Sequence, residues 1–114
     1  MFDFQKLKVY QKSKSYNHQV CQLVLNHSFD KHVNDQLKRA SFSIMLNIAE
    51  GTGRFTKRDR RNFYVIARSS AFECVAIFDF IRDLKIVQRN KVEGLVQELE
   101  EISKMLFAMV RNLE

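Results

Sequence analysis

The chain has 114 residues, of which 46% are hydrophobic and 28% charged, a composition that predicts one globular domain over residues 1–114. It has no proline and only three glycines, so tight turns are few, which argues against an all-β fold and for a few long helices. Lysine and arginine number 19 against 13 aspartate and glutamate residues, and the net charge of +6 favours an acidic partner such as nucleic acid.

Apolar residues recur at helical spacing through the first half of the chain. Residues 4–27 carry a broken apolar stripe with lysines on the other faces, which predicts helix one. Ser28 and Asp30 then offer side-chain oxygens that could cap a second helix, whose apolar stripe runs from Val33 to Ile48. We expect this helix to end at Gly51, because glycine suits a left-handed C-terminal cap.

The second half of the chain continues the pattern with clearer boundaries. Thr56 and Asp59 resemble a capping box, so helix three should begin at about residue 57 and run through the apolar seam that ends at Leu84. Asn90 is the expected N-cap of helix four, whose apolar positions continue to Leu113. Four helices with short links predict an all-α fold, an antiparallel up-down-up-down four-helix bundle.

Positive charge is concentrated between the second and third helices. Residues 52–68 hold six cationic side chains against the single carboxylate of Asp59. Such a cluster can hold phosphates, and interleaved aromatic rings can stack on an unpaired base. The candidate nucleic-acid-binding residues are Arg54, Phe55, Lys57, Arg58, Arg60, Arg61 and Tyr64. The alternative interpretation is a solvated basic face that binds nothing.

Polar side chains border the apolar seam between helices two and three. Arg39, Asn47, Glu50 and Glu73 could form a catalytic or ligand-binding pocket. The favoured interpretation is structural: Arg39 pairs with Glu73, and Asn47 pairs with Glu50 near the loop, which fixes the register of the two helices. We therefore predict no catalytic residue and no enzymatic activity.

Other chemical signals are weak. His18, His27 and His32 lack the spacing of a metal site, and no nucleotide-binding or nucleophile motif occurs, so no metal and no cofactor are expected. Cys21 and Cys74 are interpreted as small core residues in a reduced protein. The opening residues do not resemble a signal peptide, and no apolar run approaches the ~20 residues of a membrane span, so a cytoplasmic protein without a membrane partner is expected.

The run from Gln36 to Gly51, followed by Gly53-Arg54 and by Ser70-Ala71 and Glu73, resembles the four-helix-bundle proteins encoded by intervening sequences in bacterial 23S ribosomal RNA genes. The resemblance implies a homopentameric ring and structural roles for five motif residues, namely Arg39, Asn47, Glu50, Gly51 and Glu73. It also implies likeness to accessory proteins of diversity-generating retroelements, which bind a reverse transcriptase and nucleic acid through a basic surface.

Self-association is also expected from the aromatic content. Ten phenylalanines are more than one small bundle core readily hides, and five of them fall off the main apolar stripes: Phe29, Phe42, Phe72, Phe80 and Phe107. The sequence thus predicts a non-enzymatic, homo-oligomeric scaffold that binds RNA or DNA through its basic end. The alternatives are a protein-interaction module that docks an acidic partner, such as an enzyme encoded by a neighbouring gene, and a ligand-binding or hydrolytic bundle that uses Glu50 and Glu73.

Overall fold

The computed structural model describes residues 1–114 and contains helices but no strands. A single 3-10 turn at Asp3–Lys6 precedes four α-helices: α1 (Lys8–Asn26), α2 (Lys31–Thr52), α3 (Lys57–Leu84) and α4 (Arg89–Asn112). Each helix packs against its neighbours in the chain, and α1 also packs against α4, which gives a four-helix bundle 44 Å long. The predicted all-α fold and its four helices are confirmed.

The core is built from the apolar stripe of every helix. It contains 21 buried residues, and the largest fully buried side chains include Tyr16 on α1, Ile44 on α2, Phe78 on α3 and Leu99 on α4. Burial of each such aliphatic or aromatic side chain contributes roughly 1.5–3 kcal/mol. The apolar stripes of α2, α3 and α4 supply most of the core residues, but Leu84, the expected end of the α3 seam, is 42% exposed, and Phe78 is buried instead. None of the helices combines the length and the apolar character needed to cross a membrane.

The ends of the helices follow local capping chemistry in one case and depart from it in others. The Thr56 hydroxyl accepts a hydrogen bond from the Asp59 amide at 3.1 Å, which confirms the predicted start of α3. The first helix is interrupted, because Leu7 is extended between the 3-10 turn and α1. The N-cap of α4 is Gln88 rather than Asn90, and Gln88 forms no side-chain capping bond.

The prediction that Gly51 ends α2 in a left-handed conformation is wrong. α2 continues through Thr52, and no glycine in the chain has a positive φ. Gly51 instead lies against α3, where an added Cβ would be 2.8 Å from the Phe63 Cβ. The glycine is needed at this position because the two helices approach too closely for a side chain.

Small and polar side chains fill the α2–α3 seam on the side of this contact that faces away from the link. The Ser70 hydroxyl donates to the Ser43 hydroxyl at 2.8 Å, and one turn away the predicted ion pair between Arg39 and Glu73 is present. Ala67 and other small residues beside these pairs are buried. The two polar pairs fix the register of α2 against α3, since slipping either helix would separate both.

A polar cluster also lies within the core, between α1, α2 and α3. The Tyr16 hydroxyl is 3.0 Å from the Ser41 hydroxyl, which in turn lies 3.5 Å from the Cys74 thiol. Burial raises the pKa of Tyr16 well above its ordinary value and also raises the pKa of Cys74. Cys74 is the buried thiol that the sequence predicted, whereas Cys21 is exposed on α1, so its interpretation as a core residue was wrong.

Candidate nucleic-acid interface

The basic segment forms one end of the bundle. It comprises the link between α2 and α3, residues 53–56, and the first turns of α3. The N-terminus of α3 adds the positive end of a helix dipole to these cations. Phe55 lies within this link and is 100% exposed, so its ring has no packing role in the folded chain.

Two of the predicted phosphate-binding arginines already have partners within the chain. Arg54 forms an ion pair with Glu50 at 2.8 Å, and its guanidinium lies 4.6 Å from the centre of the Phe63 ring. The Arg60 Nε donates to the Arg54 carbonyl oxygen at 2.6 Å. These contacts hold the link against both helices, and they leave Arg54 and Arg60 with fewer free donors than the sequence indicates.

The remaining cations of the segment are unpaired. Lys57 and Arg58 are exposed, Arg61 is half-buried, and none of the three forms an ion pair within the chain. They lie on the first turns of α3, directly after the link that carries the exposed Phe55. These three residues therefore have no carboxylate partner within the chain, and their role in nucleic-acid binding stays a prediction.

Tyr64 does not belong to this surface. Its side chain is only 5% exposed, and its hydroxyl lies 2.8 Å from the Thr52 hydroxyl. The ring also packs against Gly51, where it lies 3.0 Å from the position of an added Cβ. Tyr64 fastens the end of α2 to α3, and stacking on a nucleobase would require the residue to leave the core.

The topology adds cations that the sequence analysis did not assign to the site. The start of α1 lies at the bundle end where α2 finishes, because the two helices are antiparallel neighbours joined by a short link. Lys6 and Lys8 are exposed at this end. Their signal in the sequence was a surplus of lysine in residues 1–17, which only the helix order connects with the loop.

Lys12 is the exception among these lysines. It binds Glu98 at 2.9 Å and Glu101 at 2.7 Å, and so joins α1 to α4. Hydrogen bonds to the two carboxylates raise the pKa of Lys12. Lys12 thus stabilises the packing of α1 against α4 and is not counted among the free cations of the basic end.

The polar seam residues do not assemble into one pocket. Asn47 donates to the Ser43 carbonyl oxygen at 2.8 Å and to the Ser43 hydroxyl at 3.0 Å, so the predicted Asn47–Glu50 pair is not formed. Glu73 is level with Arg39, whereas Glu50 lies eleven residues along α2 from Arg39, about 16 Å at 1.5 Å per residue. That separation is too large for two carboxylates that act on one bond.

Metal-ligating side chains are also dispersed. No group of three or more histidine, cysteine, aspartate or glutamate residues is arranged to hold a metal ion. The three histidines lie at separate positions on α1, on the link that follows it and on α2.

Comparison with known proteins identifies the chain. The family model described as "23S rRNA-intervening sequence protein" matches residues 5–108. A crystal structure of a protein with unknown function from the S23 ribosomal protein family of Bacteroides thetaiotaomicron VPI-5482 superposes with a TM-score of 0.84 and shares 23% sequence identity, covering 90% of this chain and 97% of that one. At this identity the likeness shows a common fold. No curated protein gives a significant match. The family model spans nearly the whole sequence, and the chain therefore belongs to the 23S rRNA-intervening sequence protein family.

Proposed function

We propose that this protein is a non-enzymatic, homo-oligomeric scaffold that binds RNA or DNA through its basic end. The observation that supports the proposal is the set of unpaired cations, Lys57, Arg58 and Arg61, on the first turns of α3, directly after the link that carries the wholly exposed Phe55. Arg54 and Arg60 hold the loop and add charge to it, and Lys6 and Lys8 extend the surface. We call these eight residues, including Phe55, the basic end.

Phosphate binding explains a charge arrangement that costs stability in the free protein. Like charges repel one another at the start of α3, where the helix dipole is already positive. A nucleic-acid backbone neutralises these charges, and each neutralised phosphate releases condensed counterions, which favours binding. The basic end therefore acts on phosphates, with no base-specific contact required.

Phe55 favours single-stranded nucleic acid over a duplex. An exposed aromatic ring among cations can stack on an unpaired base, which contributes about 1–3 kcal/mol per base. The bases of a duplex are already stacked on one another and offer no such face. RNA with unpaired loops is accordingly the ligand class that fits this surface best.

Self-association belongs to the same proposal. Four of the five phenylalanines predicted to lie off the core stripes are about half-exposed: Phe42, Phe72, Phe80 and Phe107. Exposed aromatic residues of this number favour contact between copies, and the family resemblance favours a pentameric ring. Several basic ends in one assembly would bind a single strand more tightly than one copy could, because binding becomes multivalent.

A titration of fluorescent single-stranded RNA, measured by anisotropy at several salt concentrations, tests the proposal. The Arg58→Gln/Arg61→Gln variant removes two cations from the basic end, and Lys85→Gln/Lys91→Gln is a matched control at the other end of the bundle. For single strands, the slope of log affinity against log salt should fall by about 0.7 per lost phosphate contact, about 1.4 for the first variant. The control should keep the wild-type slope.

Two outcomes would overturn nucleic-acid binding. The first is no binding at low salt. The second is an equal fall in RNA affinity in both double variants, which would indicate non-specific attraction to the net charge of the protein. Either result would favour the alternative function, an acidic protein as the partner of the same cations. Phe55→Ala isolates stacking, since it should weaken single-strand binding and leave duplex binding unchanged.

A further inference from the structure

Three aromatic rings lie in a row at the start of the chain. The Tyr10 ring packs against the core, and the Phe4 ring meets it edge-on with 4.8 Å between the ring centres. The Phe2 ring stacks on Phe4 at 5.9 Å, with an angle of 24° between the two planes. Phe2 is the outermost ring and is 72% exposed, so the row ends in solvent.

Hydrogen bonds hold the segment that carries Phe2. The Phe2 amide donates to the Gln5 Oε1 at 2.8 Å, and the Gln11 Nε2 donates to the Gln5 carbonyl oxygen at 2.9 Å, which fastens the 3-10 turn to α1. The turn also packs against α2. An exposed ring that is already ordered loses little conformational freedom when a ligand binds, so more of its interaction energy remains as affinity.

The row of rings lies at the same end of the bundle as the basic end. The contact between Tyr16 and Ser41 shows which residues of the antiparallel helices α1 and α2 are level. Lys8 lies eight residues before Tyr16, and the level position on α2 is Ala49, eight residues after Ser41. The 3-10 turn precedes Lys8, so it is level with the last residues of α2 and with the link 53–56.

We infer that Phe2 stacks on an unpaired base of single-stranded RNA, so that one strand crosses this end of the bundle with one base on Phe2 and another on Phe55. The inference rests on the proposed function and adds a second aromatic contact to it. A base on Phe2 continues the row of rings and covers an apolar surface that otherwise faces water. Such stacking tolerates any sequence, because every base has a π-face.

The charges around the two rings are similar. Each ring is followed in the chain by exposed cations without an ion pair, namely Lys6 and Lys8 after Phe2, and Lys57 and Arg58 after Phe55. Asp3 is the only carboxylate in residues 1–29, which hold four lysines, so this segment remains cationic. Phosphates on both sides of each stacked base therefore meet positive charge.

The size of the bundle sets the length of the RNA. Its cross-section is 26 × 22 Å, and a strand that rises roughly 3.4 Å per nucleotide crosses it with about eight nucleotides. Dodecauridylate is long enough to contact both rings and has no self-complementary sequence. It is therefore the probe for the test.

Anisotropy titrations of labelled dodecauridylate test the inference with the wild type, Phe2→Ala, Phe2→Trp and Phe80→Ala. Phe80 is the matched control, because it is 52% exposed but lies at the opposite end of the bundle, near His32 at the start of α2. Phe2→Ala should lower the affinity about fivefold or more, which corresponds to about 1 kcal/mol of stacking. Phe2→Trp and Phe80→Ala should bind as tightly as the wild type.

Salt dependence and a base-free strand separate stacking from charge. Phe2→Ala removes no cation, so its slope of log affinity against log salt should equal that of the wild type, whereas Arg58→Gln/Arg61→Gln lowers the slope. A base-free strand with the same number of phosphates should bind Phe2→Ala and the wild type equally.

Phe2→Trp also reports the contact directly, because the chain contains no tryptophan of its own. A base stacked on the indole ring quenches its fluorescence. Dodecauridylate should therefore quench Phe2→Trp and leave the fluorescence of Phe80→Trp unchanged. Circular dichroism establishes that every variant retains its helices.

Four results would overturn stacking on Phe2: wild-type affinity in Phe2→Ala, an equal loss in Phe80→Ala, an equal loss with the base-free strand, or no quenching of Phe2→Trp. The proposed function survives each of them if Arg58→Gln/Arg61→Gln still lowers the salt slope, and Phe2 is then a surface for a protein partner. A wild type that does not bind dodecauridylate at low salt overturns both the proposed function and the inference.

Discussion

Replacement of Gly51 by alanine tests the closest contact between α2 and α3. The added Cβ would be 2.8 Å from the Phe63 Cβ and 3.0 Å from the Tyr64 Cε1. Phe63 cannot relieve the first contact by rotating its side chain, because a Cβ moves only with its backbone. Gly94 on α4 offers a matched control, since an added Cβ there meets nothing within 4 Å.

The two substitutions should change stability in opposite directions. In an unobstructed helix, alanine is more favourable than glycine by about 1 kcal/mol, so Gly94→Ala should raise the free energy of unfolding by about 0.5–1 kcal/mol. At Gly51 the same gain is opposed by overpacking, which costs about 1–3 kcal/mol. Displacement of Tyr64 would also weaken its hydrogen bond to Thr52, worth about 1 kcal/mol. We expect Gly51→Ala to lower the free energy of unfolding by about 1–3 kcal/mol.

Urea unfolding followed by far-ultraviolet circular dichroism measures both changes. The measurement should be made at two protein concentrations, because association of folded copies raises the apparent stability. If Gly51→Ala proved as stabilising as Gly94→Ala, the close approach of the two helices at Gly51 would be refuted. The interpretation of Gly51 as a packing residue would then fail with it.

Three further predictions concern the seam and the core. A double-mutant cycle on Arg39 and Glu73 should give a coupling below about 1 kcal/mol, because both side chains are about half-exposed and solvent screens the pair; a much larger coupling would indicate a buried, functional pair. With a thiol reagent, Cys21 should react in the folded protein and Cys74 only after unfolding, and two fast thiols would contradict the burial of Cys74. Burial raises the pKa of Tyr16, so the folded state keeps the phenol neutral and stability should fall as the pH rises above the ordinary value of 10.0. In urea unfolding, Tyr16→Phe should lose less stability at alkaline pH than the wild type. An unchanged pH dependence would contradict the burial of the Tyr16 phenol.

The helices could be predicted from the sequence because buried apolar residues recur at helical spacing, and this spacing does not depend on the conformation of the loops. The sequence does not show which of two adjacent aromatic residues at the start of a helix enters the core. Phe63 and Tyr64 are adjacent and flank the same stripe, so either ring could enter the core. The glycine on α2 decides between them, since Tyr64 packs against Gly51 and Phe63 stays half-buried beneath the Arg54 guanidinium. That choice depends on a residue of another helix, which local spacing does not report.

The polar motif was ambiguous for a different reason. Asn47 has possible partners one turn away in both directions along α2, and it bonds Ser43 behind it rather than Glu50 ahead. Glu50 in turn has a stronger partner four residues on, the Arg54 guanidinium. A charged pair outcompetes a neutral amide for the same carboxylate. The sequence contained both arrangements, and only the conformation of the α2–α3 link selects one.

These contacts connect the family motif with the basic end. Gly51 lets α3 approach α2, Tyr64 then bonds Thr52, and the Glu50–Arg54 pair draws the link back onto α2. Arg60 closes the arrangement from α3 by donating to the Arg54 carbonyl oxygen. A loop held from both sides loses little conformational freedom when a ligand binds, so more of the interaction energy remains as affinity. Two of the motif residues, Glu50 and Gly51, therefore contribute to the proposed binding indirectly, by holding the link that precedes its cations.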